Sequence, residues 1–133
     1  MPVKSTRLCA FAVALLAAVC AALRAGAAQP AWRATDSGFE LALTQGAVTC
    51  DARGRLTLRA GDQPALELAF FLWHGDYQYE TLAGGRPEGA ALQADGVLRL
   101  TGLWGARAGV PPVRYTLDLA PKDDGAEVRL ALV

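Results

Sequence analysis

The side chains best suited to chemistry lie within Ala65–Leu82, ALELAFFLWHGDYQYETL, which holds the single His of the chain, two of its four Phe, one of its three Trp and two of its three Tyr. His74, Asp76 and Glu80 form the one titratable cluster beside aromatics. Two carboxylates flanking a glycosidic bond can hydrolyse it. Here Asp76 falls in a turn and Glu80 several residues along a strand, so the cluster is not expected to be catalytic. His74 reads as a surface residue flanking that turn.

Other reactive constellations are thin. Past the N-terminal segment there is one Ser, Ser37, and one Cys, Cys50, which sits in AVTCDARG without an activating motif, leaving His74 as its sole conceivable base. A zinc site needs several His or Cys at close spacing. Asp123 and Asp124 in Lys122-Asp123-Asp124-Gly125 read as a solvated turn rather than a calcium loop. No glycine-rich phosphate loop opens a helix. Neither a metal nor a cofactor is expected.

The aromatics make the stronger case. Side chains alternate faces along a strand, so a straight strand through this stretch would switch its buried face midway. A hairpin turning at Gly75-Asp76 removes the conflict and is preferred to a bulge at Gly75 in one long strand. With a two-residue turn, Leu72 faces Tyr79 and Phe70 faces Thr81 on a core side. Trp73 then faces Gln78, and Phe71 faces Glu80, on the other side. Flat rings beside an amide and a carboxylate suit the apolar face and the hydroxyls of a pyranose. Phe71, Trp73, Gln78 and Glu80 are therefore the candidate carbohydrate platform. The competing reading places Phe71 and Trp73 under a second sheet or loop, as core.

The surrounding elements read as short strands. Phe39–Thr44, Ala47–Cys50, Arg55–Arg59, Ala90–Ala94, Val97–Thr101, Val113–Leu119 and Glu127–Leu132 alternate apolar and polar residues or punctuate as strands, while Trp32 should plug one end of the core. Asp51–Gly54, Gly61–Pro64, Asp95-Gly96 and Pro121–Gly125 mark turns; 83–89 and 106–112 read as loops. No helical period of useful length appears past residue 28. The expectation is an all-β, antiparallel β-sandwich of eight or nine short strands over 29–133.

Residues 1–28 read as a signal peptide: Lys4 and Arg7, then the apolar run Leu8–Leu23, then small residues through Ala28. The run is shorter than the roughly 20 residues of a membrane span. The product is expected to be periplasmic or extracellular, with no stable membrane insertion after the leader is cleaved. Cys9 and Cys20 leave with the leader, so Cys50 has no partner for an intramolecular disulfide. Lys4, Arg7 and Arg24 also leave, which tips the balance of 13 basic and 13 acidic residues toward acid. Nucleic acid is not expected as a partner. Strand alternation running to Val133 suggests the front of a longer protein with a missing C-terminal domain, although a complete domain with its last strand mid-sheet fits the same pattern.

Cys50-Asp51-Ala52-Arg53-Gly54-Arg55-Leu56, the aromatic hairpin, Asp95-Gly96-Val97-Leu98 and Tyr115-Thr116-Leu117-Asp118-Leu119 together resemble the opening half of a galactose-mutarotase-like β-sandwich. The resemblance covers most of 36–133. It implies an accessory domain of a secreted bacterial glycoside hydrolase or polysaccharide lyase, with poly- or oligosaccharide as partner. True epimerases of that family use paired His with a Glu; this chain has His74 alone, so epimerase activity is not implied. A structural or adhesive envelope module without a ligand is the alternative.

Overall fold

A computed structural model describes residues 29–74, 78–105 and 111–133, with His74 and Gln78 described by their backbone alone. The leader, the Gly75-Asp76 turn and most of the 106–112 loop lie outside the described residues. What is described is all-β, as the alternation predicts.

Eleven antiparallel strands run in chain order: β1 Trp32–Thr35, β2 Gly38–Leu43, β3 Gly46–Cys50, β4 Leu56–Ala60, β5 Leu66–Leu68, β6 Phe71–His74, β7 Gln78–Thr81, β8 Arg86–Leu92, β9 Leu98–Trp104, β10 Val113–Lys122 and β11 Gly125–Leu132. They form a five-stranded sheet in the order β1-β2-β3-β4-β5, a four-stranded sheet in the order β11-β10-β9-β8, and a two-stranded ribbon β6-β7.

One core draws on both larger sheets. Trp32, Leu41, Cys50 and Leu56 come from the first, and Leu98, Leu100, Trp104, Tyr115, Leu117 and Leu119 from the second, with Leu82 beside them. The alternation in β10 explains its half: Tyr115, Leu117 and Leu119 are buried while Arg114, Thr116 and Asp118 point outward. Trp32 plugs the core as the sequence suggests. Its indole Nε1 also donates to the Leu119 carbonyl at 2.9 Å, crossing from one sheet to the other. Asp124 adds a second link, since its Oδ1 accepts the Thr44 N–H at 2.7 Å.

The turns follow their residues. In the Asp51 turn the carboxylate Oδ1 accepts from the Arg53 and Arg55 N–H groups at 2.9 and 3.0 Å, and Gly54 supplies φ 82°. Arg53 then donates to the Ala83 carbonyl at 2.9 Å. At Asp95-Gly96 the Asp95 carboxylate accepts from Val97 at 3.1 Å.

Three sequence expectations need correction. The stretch 66–73 does not continue as one strand: β5 pairs with β4 in the five-stranded sheet, and after Ala69-Phe70 the chain leaves to form the ribbon. Residues 86–89 are not loop but the start of β8, an edge strand that accommodates Pro87 through a register shift between Pro87 and Gly89. Trp32–Thr35, not among the strands expected from the sequence, is a strand paired with β2. Together these raise the strand number above eight or nine.

Candidate functional site

The ribbon β6-β7 carries the candidate site. Its register pairs Phe71 with Thr81, Leu72 with Glu80, Trp73 with Tyr79 and His74 with Gln78. The Leu82 N–H continues the pairing by donating to the Phe70 carbonyl at 2.9 Å. This is one residue away from the register that a Gly75-Asp76 turn requires, because the His74–Gln78 pairing leaves residues 75–77 as the connection.

A slip of one residue in one strand exchanges its faces. Tyr79 therefore leaves the core side, where the two-residue turn would put it, and joins Phe71 and Trp73. The three are exposed: Trp73 65%, Phe71 58% and Tyr79 58%. The reading that Phe71 and Trp73 lie beneath other elements is thereby overturned. Tyr79 sits between the other two. Its ring is nearly parallel to that of Trp73, with centroids 6.2 Å apart at 13°, and stands edge-on to Phe71, with centroids 5.3 Å apart at 77°. Such pairs contribute about 0.5–1.5 kcal/mol beyond simple burial.

The same slip removes the polar half of the platform. Glu80 pairs with Leu72, which packs against the core, so its position is on the side away from Trp73. Gln78 pairs with His74 on that same register phase. Phe71 and Trp73 are thus brought together as expected, while Glu80 is not placed with them; the Gln78 side chain lies outside what is described. Among the described residues, the polar groups offered by the aromatic face are the Tyr79 hydroxyl and, opposite Phe71, Thr81. Thr81 is partly engaged, since its Oγ1 accepts the Gly84 N–H at 3.1 Å and caps a single 3-10 turn, Leu82–Gly84. Sequence reasoning missed Tyr79; an odd-numbered connection between the strands is the signal that would have found it.

Phe70 and Leu72 hold the ribbon to the core from its other side. A cleft of about 330 Å³ opens where the chain enters and leaves the ribbon, lined by Arg55, Glu67, Ala69, Phe70, Thr81 and Ala83 among others. Asp76 of the titratable cluster lies outside the described residues. Cys50 is buried and its thiol is pushed up to about 12, first by loss of hydration and then by the Asp51 charge, which opposes thiolate chemistry. Among the described residues no group of three or more His, Cys, Asp and Glu could hold a metal ion.

Compared with protein-family models, with curated proteins and with solved structures, the chain matches none.

Proposed function

We propose that this chain is an exported, non-catalytic β-sandwich that binds carbohydrate through the aromatic face of its ribbon. The leader-like residues 1–28 support export, and the single core fed by both larger sheets supports the sandwich. The observation that carries the binding reading is the outward placement of Phe71, Trp73 and Tyr79 on one side of β6-β7. Three large rings left mostly in water forgo a large part of the roughly 1.5–3 kcal/mol each that full burial would contribute, so an exposed cluster of this kind marks a place where something docks. Near-parallel rings side by side fit the flat faces of successive sugars better than a deep pocket would. A glycan therefore lies along the ribbon, with hydrogen bonds from the Tyr79 hydroxyl. Its role is that of an accessory module to a secreted glycoside hydrolase or polysaccharide lyase, as the family resemblance implies.

Affinity electrophoresis of the chain through gels containing a panel of neutral and acidic polysaccharides tests this. Retardation in at least one gel, with the dissociation constant raised about tenfold or more by Trp73→Ala or Tyr79→Ala, is the expected result. Equal retardation of wild type and both variants removes the platform. No retardation in any gel favours the alternative of a structural or adhesive module.

A further inference from the structure

Among the described strands, β11 is an edge of the four-stranded sheet and offers one side to a second copy of the chain. Val133 and Arg114 exchange both backbone hydrogen bonds, at 2.9 and 3.0 Å. The β10-β11 register is unbroken, so odd-numbered residues of β11 bond to β10 and the N–H and C=O groups of Ala126, Val128 and Leu130 point away from the sheet. Open edges invite pairing, and folds commonly blunt them. The opposite edge of the same sheet is blunted by Pro87 and its register shift. The edges of the five-stranded sheet are short, four residues in β1 and three in β5. Among the described strands β11 is different: eight residues, GAEVRLAL, with no Pro, no Lys and no shift. Its inward row is incompletely covered, with Val128 41% and Leu132 46% exposed. An apolar groove of about 230 Å³ runs from Val128 and Ala126 toward Leu58 and Leu68.

We infer that β11 pairs with β11 of a second copy, antiparallel about a two-fold axis through Val128, joining the two four-stranded sheets into one. Charge selects that register. Outward-facing β11 residues alternate Glu127 and Arg129, and centring on Val128 sets each Glu127 opposite the partner's Arg129. Centring one residue earlier sets Glu127 against Glu127, and one residue later sets Arg129 against Arg129; both place like charges in contact. The chosen register also continues a row of alternating sign already present in the monomer. Arg99 pairs with Asp118 through two hydrogen bonds of 2.7 Å, and Asp118 is in register with Arg129. The partner's Glu127 supplies the next negative charge. The Glu127–Arg129 contact within one strand, at 2.7 Å, is exchanged for two between strands. Backbone bonds and the apolar row supply affinity; the charges fix register. The inference rests on the sheet edge and is independent of the sugar reading.

Sedimentation and light scattering of the exported chain, without residues 1–28, across a dilution series give the test. The wild-type chain is expected to reach twice its single-chain mass. E127R alone and R129E alone are expected to remain at single mass, with dissociation constants raised about tenfold or more. Mixing those two variants restores the double mass, because a strand with two arginines then faces one with two glutamates. The double variant E127R/R129E restores it too. Arg129 is exposed and Glu127 half-buried, and unchanged circular dichroism of each variant shows that folding is retained. A wild-type chain that stays at single mass, single reversals that still dimerise, or a mixture that does not recover overturns the inference.

Discussion

The indole of Trp32, on the first strand, donates its N–H to the carbonyl of Leu119, on β10 of the other large sheet, at 2.9 Å. Both residues are buried, so the bond works in a medium where an unpaired polar group is costly. Trp32→Phe keeps an aromatic ring but removes the donor. A loss of about 1–3 kcal/mol in unfolding free energy is expected from urea denaturation, with the slope unchanged because the buried area changes little.

Trp73 and Trp104 lie at opposite extremes of exposure, 65% and 1%. Trp73→Ala is expected to lower stability by less than about 1 kcal/mol, the scale of a cross-strand pair on a wet face. Trp104→Ala empties a core site and should cost about 3–5 kcal/mol. Thermal unfolding of the two variants beside wild type distinguishes them, and a large loss for Trp73→Ala contradicts the exposed placement.

Gly102 occupies a position where a side chain has no room. A Cβ there would lie 2.5 Å from the Arg86 carbonyl oxygen and 2.7 Å from the Tyr115 ring. The bare backbone of β9 lets Tyr115 lie across it. Gly102→Ala is expected to destabilise by about 1–3 kcal/mol through overpacking, measured by denaturant midpoint. Combining it with Tyr115→Leu should recover part of that loss.

Cys50 should resist thiol reagents at neutral pH until the chain unfolds, so labelling by an aromatic disulfide reports global opening. The thiol ordinarily titrates near 9.0 and is held at about 12 in the folded chain. The unfolded chain therefore releases this proton first as pH rises. The contribution of Cys50 is intact below about pH 9 and is lost progressively between there and about pH 12, at no more than about 1.4 kcal/mol per pH unit. Cys50→Ala should lack that part of the alkaline decline in a pH series of urea melts.

Much of the fold was legible because period-two alternation is a local signal. Val113–Leu119 announced which side of β10 is buried, and Asp95-Gly96 and Asp51–Gly54 announced their turns. Pro87 misled because proline is excluded only from interior strands, and β8 is an edge. The ribbon misled for a different reason. Gly75-Asp76 is a sound turn dipeptide, but the parity of a connection, not its composition, decides which side chains share a face. One residue more between the strands moved Tyr79 beside Trp73 and carried Glu80 away. The break after Leu68 was equally hidden, since a run of apolar residues does not reveal when its strand changes sheets.

The ribbon β6-β7 shares no ladder with either larger sheet among the described strands. Its outward rings, Phe71, Trp73 and Tyr79, can therefore be swapped without rewriting a ladder bond in the sheets that carry the core. Such modularity makes the ribbon the natural cassette for changing recognition, in evolution and at the bench.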